Sequence, residues 1–310
     1  MKVYSSIEEF ETIPFAVATT GTFDGVHLGH KTILNRLIEV AKKSGGESVL
    51  LTFNPHPRQV LQPDVDLKML NTIEEKIELL EKAGLDHLII HPFTKEFSRT
   101  TTLEYVRNIL VQKIGVKRLV IGYDHHFGRN REGSFDRLKE FGPLYGFEVE
   151  EIPAMDIDAV AISSTKVRKA LEVGDVERAH EFLGYPYSLV GWVSKGDQLG
   201  RTIGFPTANL ELSNSSKLLP AMGVFAVRIE LNGKSYKGMC NIGLRPTVEG
   251  SSHRIEVHIF DFNQDIYGQS LRIDFLHRMR SEQKFGNLNE LKNQLLIDSK
   301  EARNLLLSIE

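Results

Sequence analysis

The 310-residue sequence predicts an α/β protein in two parts: a parallel sheet covered by helices, then a small antiparallel barrel closed by a terminal helix. Three observations lead there. The length exceeds what one hydrophobic core usually serves, so two domains are expected. In the first half, short apolar runs alternate with helix-period segments, the pattern of βαβ units. After about residue 186 short strand-like runs follow one another across turn signals, with no helical pattern until Asn287.

Taken in order, Ala16–Thr19, Glu47–Phe53, His87–His91, Lys117–Gly122 and Phe147–Ile152 are the expected parallel strands. Thr72-Ile-Glu-Glu75 and Thr101-Thr-Leu-Glu104 have the S/T-x-x-E form of a capping box and mark helix starts. A helix is also expected over roughly Lys31 to Lys42. Gly174–Pro186 reads as a helix and short linker, which puts the domain boundary between 185 and 186. Beyond it, Leu189–Val193, Val224–Leu231, Ser235–Asn241, Arg254–Phe260 and Ser270–Leu276 are expected strands. Asn232-Gly233 makes a tight hairpin between two of them. Leu288, Leu291, Leu295, Ala302 and Leu305 mark one face of the terminal helix. Trp192 is expected to pack in the barrel, and Cys240 to be a small buried apolar residue.

Composition narrows the class. With 41% apolar and 25% charged residues the chain is an ordinary globular one. A formal charge of −3 argues against general nucleic-acid binding, which needs a basic surface to neutralise phosphates. A single cysteine rules out an internal disulfide and suits a reducing compartment. The polar, acidic start MKVYSSIEEF is not a signal peptide, and no apolar run is long enough to span a bilayer. A cytoplasmic protein is expected.

Two stretches of the first half carry chemistry. GTFDGVHLGH (21–30) follows the first expected strand and places His27 and His30 among Gly21, Gly25 and Gly29. A zinc site would need further ligands. A phosphate site needs what this turn offers: close backbone approach and the positive end of the following helix, about half a charge. A decorated glycine turn is the plain alternative. Far along the chain, ISSTKVR (162–168) sets three hydroxyls and Arg168 at a helix start, where a guanidinium can hold phosphate oxygens in pairs. No two glycines in the chain are two apart, which excludes G-x-G-x-x-G, and G-x-x-x-x-G-K-[ST] does not occur either.

In the second half GDQLGRTIGFPTANL (196–210) fixes Pro206 beside Thr207 and Asn209. In an extended segment those two side chains share a face and offer hard oxygens of the kind magnesium takes. Arg254-Ile-Glu-Val-His-Ile259 alternates, with Ile255, Val257 and Ile259 on one face and Glu256 and His258 on the other. That second face is either solvated or lines a ligand cavity, where a carboxylate can act as general base.

These motifs together carry a family resemblance. H-x-G-H after the first strand and I-S-S-T-x-x-R near the domain's end resemble the nucleotidylyltransferases. TFNPHPRQVL (52–61) and GYDHHFGRNREG (122–133) are similar to the FMN adenylyltransferase module of bacterial FAD synthetases. GRTIGFPTANL (200–210), GVFAV (223–227), NIGLRPTV (241–248), EVHIFDF (256–262) and DIYGQSLRIDFLHRMRSEQKF (265–285) resemble the riboflavin kinase module. The resemblance implies a Rossmann-like nucleotidylyltransferase domain over 1–185 and a six-stranded Greek-key riboflavin kinase barrel over 186–310. It implies a bifunctional transferase that phosphorylates riboflavin to FMN and adenylylates FMN to FAD, with ATP and magnesium (Mg2+). An alternative keeps only one activity, with the other domain a flavin-binding or regulatory scaffold. A flavin-responsive RNA-binding regulator is disfavoured by the acidic charge.

The resemblance also implies roles. His27 and His30 meet the ATP phosphates, with Gly21, Phe23, Asp24 and Gly29 of the same turn at the nucleotide. Ser164, Thr165 and Arg168 hold the leaving phosphates. Asn54, His56 and Arg58 line the flavin phosphate, and Asp124 lies near the nucleotide. His125-His126 departs from the aromatic and basic residues expected there. In the barrel, Gly200, Thr207 and Asn209 fall at ATP and magnesium. Glu256 is the base on the ribityl hydroxyl, and Arg280, Lys284 and Phe285 close a loop over flavin. The implied partners are small molecules, with neither nucleic acid nor membrane, for a monomer or weak homo-oligomer.

Overall fold

Buried strands of a parallel sheet read as unbroken apolar runs because both faces are covered. VLL at 49–51 and LVI at 119–121 are such runs. The computed structural model describes residues 1–122, 127–129, 132–152, 162–196, 199–247 and 250–307. Contacts divide the chain into two units, Met1–Ser164 and Thr165–Glu310.

The first unit holds a six-stranded sheet in the order β1-β4-β3-β2-β5-β6, built from β1 (Lys2–Tyr4), β2 (Ala16–Thr20), β3 (Glu47–Phe53), β4 (His87–His91), β5 (Val116–Gly122) and β6 (Glu148–Ile152). All five pairings are parallel. Alternate residues feed two cores. Ala16, Ala18, Val49, Leu51, Leu119 and Ile121 point to one, and Val17, Leu50 and Val120 to the other. Helix α1 (Leu28–Lys43) covers the second core with Leu34 and Leu37, both fully buried, each worth about 1.5–3 kcal/mol of transfer free energy.

Helices α2 (Pro57–Leu61) and α3 (Ile73–Lys82) follow β3. Thr72 caps α3 as expected, its hydroxyl accepting from the Glu75 amide. Thr101 caps α4 (Thr102–Glu104) in the same way, and a π-helical stretch, Tyr105–Ile114, runs on from it. Then come α5 (Phe135–Tyr145) and, straddling the division between the units, α6 (Ser164–Glu172).

The second unit continues with α7 (Val176–Leu183) and a closed six-stranded barrel. Its strands are β7 (Ser188–Ser194), β8 (Ala208–Leu212), β9 (Gly223–Leu231), β10 (Lys234–Thr247), β11 (Gly250–Ile259) and β12 (Ser270–Arg280), in the order β10-β11-β8-β7-β12-β9. Every neighbouring pair is antiparallel. β12 reaches back between β7 and β9, the Greek-key step. Asn232 and Gly233 take φ of 52° and 73°, the hairpin geometry their types favour. Helix α9 (Leu288–Leu307) closes the chain.

Several expectations need correction. β1 and β8 lie outside the expected strands. β1 is three residues long and sits on the sheet edge, while β8 lies within a string rich in Gly, Pro and Thr. A short helix, α8 (Leu199–Thr202), interrupts the barrel where none was expected before Asn287. Trp192 is 54% exposed on β7 rather than packed. The buried face of α9 runs through Leu295, Asp298, Ala302, Leu305 and Leu306, and Leu288 is exposed. The displaced face has a physical reason: Asp298 is buried because it answers a cation, which hydrophobic periodicity does not register. Cys240 is buried, as expected.

Candidate active sites

Open α/β sheets bind ligands beyond the carboxyl ends of the strands, where the strand order reverses. Here that point lies between β2 and β5. The turn after β2 therefore stands at the binding edge, and it contains the G-T-F-D-G-V stretch.

The turn is strained and tightly held. Phe23, Gly25 and Val26 have φ of 45°, 89° and 36°. For residues with a side chain this left-handed region costs on the order of 1–3 kcal/mol each. The Thr22 carbonyl accepts from Lys76 Nζ at 2.7 Å and Thr52 Oγ1 at 3.2 Å. The buried Asp24 carboxylate accepts from the Leu70 and Asn71 amides, at 3.1 and 3.4 Å.

His27 is the N-cap of α1, which begins three residues earlier than the sequence suggested, so His30 lies inside its first turn. His27 Nδ1 accepts from the His30 amide at 3.3 Å, which puts the proton of a neutral His27 ring on Nε2. The two imidazoles stack with centroids 3.7 Å apart, and the Phe23 ring lies 4.7 Å from His30. Burial, then the His27 ring, then Lys76 hold the His30 imidazole well below the ordinary histidine range. Its Nδ1 is shielded and has no hydrogen-bond partner among the described residues. Such an atom is costly to leave unbonded, so the site suits an added ligand. Burial also lowers the Lys76 ammonium, with Asp24 opposing.

The ISST segment meets this turn. Ser164 Oγ donates to the Asp24 carbonyl at 2.8 Å. A side chain at Gly29 would press on the Ile162 carbonyl and the His27 ring, at 3.4 and 3.2 Å, so glycine keeps the two segments close. Thr165 and Arg168 follow on α6, in the second unit. At the end of β3, the Asn54 amide donates to the His91 carbonyl at 3.1 Å. His56 caps α2 by accepting from the Arg58 amide at 3.1 Å, and Arg58 Nε reaches Gln62 at 3.4 Å. Phe93, Phe97 and Tyr105 cluster with Phe53 as packing aromatics. Tyr105 is bonded to Thr20 at 3.0 Å, and burial pushes its phenol up to about 12. Asp124, His125 and His126 lie outside the described residues.

The barrel gathers its own set. Asn209 pairs with Glu256 across β8 and β11. Thr207 Oγ1 donates to Glu256 Oε1 at 3.3 Å. Arg254 joins the group, with Nη2 at 2.9 Å from Glu256 Oε1 and Nε at 3.2 Å from Asn209 Oδ1. β11 alternates as read: Ile255, Val257 and Ile259 are buried, and Glu256 and His258 are half-buried. His258 Nδ1 lies 2.7 Å from the Pro206 carbonyl, which only accepts, so Nδ1 carries a proton. Gly196 and Gly200 let this string fold closely: a side-chain carbon at Gly196 would collide with the Asn209 amide, and one at Gly200 with the Phe205 carbonyl. Arg280 is held by the buried Asp298, with Nε at 2.9 Å and Nη2 at 2.6 Å, and lies 5.9 Å from the Phe285 ring. Lys284 is exposed. No cluster of three His, Cys, Asp or Glu residues suited to a metal occurs among the described residues.

Comparison with known proteins assigns the two halves. The FAD synthetase family matches residues 11–166, and the riboflavin kinase family matches 183–306. The bifunctional riboflavin kinase/FMN adenylyltransferase of Haemophilus influenzae is 40% identical over 92% of each chain. That of Escherichia coli is 37% identical over 98% of this chain and 97% of its own. The chain belongs to this family. Among solved structures, one described as a macrolide-efflux protein from Streptococcus pneumoniae aligns over 98% of both chains with 32% identity and a TM-score of 0.89. No helix among the described residues is long and apolar enough to cross a membrane.

Sequence reasoning missed two members of these clusters. Arg254 was legible, because the alternation that gave Glu256 and His258 puts it on the same face. Lys76 sits between Ile73, Ile77 and Leu80 on the inward stripe of α3. A lysine there was the available signal.

Proposed function

We propose that the chain makes FAD from riboflavin in two ATP-dependent steps on two separate sites. The barrel phosphorylates riboflavin to FMN, and the sheet domain adenylylates FMN to FAD. The functional boundary falls between 185 and 186, ahead of β7. The observation that carries the reading is the pair of family matches, one over each half, each falling on a cluster of side chains suited to its step.

In the barrel, Glu256 takes the proton of the ribityl hydroxyl as its oxygen bonds to the γ-phosphorus, and the bond to ADP breaks. Arg254 pairs with that carboxylate and orients it, with Nη2 at 2.9 Å from Oε1. Thr207 and Asn209 hold magnesium. The donor set fits, being a hydroxyl and an amide oxygen beside a carboxylate, all hard oxygens. The ion supplies charge neutralisation at the ATP phosphates when bound. Gly200 lies along the nucleotide, and Arg280, Lys284 and Phe285 cover the flavin.

In the sheet domain an FMN phosphate oxygen attacks the α-phosphorus of ATP, and the bond to pyrophosphate breaks. Catalysis is positioning and charge stabilisation. His27 and His30 contact the ATP phosphates, with Gly21, Phe23, Asp24 and Gly29 shaping the turn. Ser164, Thr165 and Arg168 hold the departing phosphates. Asn54, His56 and Arg58 receive the FMN phosphate, and Asp124 approaches the nucleotide. A cytoplasmic location and a monomeric or weakly self-associating state belong to the same proposal.

The His30→Ala and Glu256→Gln variants test it. His30→Ala should make FMN but lose FAD formation by about 10²–10³-fold, the size of a lost transition-state donor. Glu256→Gln should lose FMN formation yet convert supplied FMN to FAD. If each change depressed both activities together, the two-site reading would be wrong.

A further inference from the structure

We propose that Lys76 is a positioning residue for FAD formation: its ammonium, buried within α3, holds the Thr22 carbonyl and thereby fixes the turn that presents His27 and His30. This rests on the reading that the turn receives ATP phosphates.

The position is a costly one for a cation. Lys76 is 6% exposed, on the face of α3 that also carries Ile73, Ile77 and Leu80. An apolar residue there would simply extend the core, whereas a buried charge must be compensated. Its Nζ bonds the Thr22 carbonyl at 2.7 Å. Asp24, two residues on, is the acidic group facing it.

The contacts lead from that carbonyl to the imidazoles without a break. Thr22 is bonded to Phe23, whose φ is 45° and whose ring lies 4.7 Å from His30. The His30 ring stacks on His27 at 3.7 Å. A backbone held in the left-handed region keeps that conformation only while its surroundings impose it. The groups that impose it come from three other places in the chain. Lys76 and the Leu70 and Asn71 amides lie in and before α3, Thr52 lies on β3, and Ser164 opens α6. Lys76 brings a cation to this set, and its charge also faces His30. Removing the ammonium therefore frees the Thr22 carbonyl to move and shifts both rings, while the pocket for FMN, at the end of β3, keeps its own bonds.

The test is Lys76→Met in the full chain, which keeps the apolar stem and removes the donor. FAD formation from FMN and ATP, and FMN formation from riboflavin, are measured on the same preparation. The expected result is a fall in kcat for FAD formation of about 10–100-fold, the scale of a misplacement of about 1 Å. KM for FMN should stay within about threefold, and FMN formation should be unchanged. A wild-type kcat, or equal loss of both activities, would overturn the inference. If Lys76→Met does not fold, Thr52→Val removes the second donor to the same carbonyl. A smaller fall in kcat at constant KM supports the inference, and an unchanged kcat overturns it. His30→Ala, run in parallel, separates the two readings. Retained FAD formation in His30→Ala removes the phosphate reading itself. Lost formation there, with retained formation in Lys76→Met, removes only the role of Lys76.

Discussion

Asp298→Ala should unfold the barrel unit more readily than any surface change on α9. The carboxylate is 1% exposed and receives Arg280 Nε at 2.9 Å and Nη2 at 2.6 Å, with Gln294 Nε2 at 2.8 Å. The Arg280 side chain is itself only 17% exposed, so the pair is little screened. Hydrogen bonds to charged groups contribute about 1.5–3 kcal/mol each, so losing the two from Arg280 costs about 3–6 kcal/mol. Breaking a buried ion pair by removing one partner falls within that range, at about 3–5 kcal/mol. For a unit of this size each kcal/mol lowers the melting temperature by roughly 2–4 °C, so the fall should be about 6–20 °C. Differential scanning calorimetry gives the melting temperature, and riboflavin phosphorylation on the same sample reports the site. The double variant Arg280→Met/Asp298→Leu should recover most of the stability, because an apolar pair of similar volume needs no compensation. It should not recover phosphorylation, because Arg280 is one of the residues proposed to cover the flavin. A loss below about 1 kcal/mol for Asp298→Ala would refute the reasoning, as it would mean that water already screens the pair.

Gly196→Ala puts a methyl group where the Asn209 amide stands, so Asn209 must turn away from Arg254. Riboflavin phosphorylation should fall about 10²-fold, with a higher magnesium requirement and FAD formation from FMN intact. A pH series tests His30. Its folded-state value is depressed, so the stability it contributes is complete above the ordinary histidine value of 6.5 and is lost as pH falls from there towards the lower folded value. His91, lowered by burial, acts in the same direction. The melting temperature of the sheet unit should therefore drop below pH 6.5, and the drop should be smaller in His30→Gln, as calorimetry across that range would show.

Much of this was legible in the sequence because the relevant patterns are local. The runs at 49–51 and 119–121, the capping boxes at Thr72 and Thr101 and the Asn-Gly hairpin each follow from neighbours in the chain. The face of β11 that carries Glu256 was legible for the same reason. What escaped depends on distant partners. β1 forms only because β4 offers it an edge. Asp298 is buried because Arg280, from β12, comes to meet it. Lys76 reads as an oddity on an apolar stripe until the Thr22 carbonyl, more than fifty residues earlier, is seen to need its donor. The start of α1 shifted because a histidine serves as its cap, a role that Ser, Thr, Asp or Asn usually signals.

The most direct test of the central claim is a time course of products from the unaltered chain supplied with riboflavin, ATP and magnesium, resolved by chromatography. The account predicts that FMN and ADP appear first and that FAD and pyrophosphate follow at the expense of FMN. Neither flavin nucleotide forming, or FMN accumulating without any FAD, would contradict it.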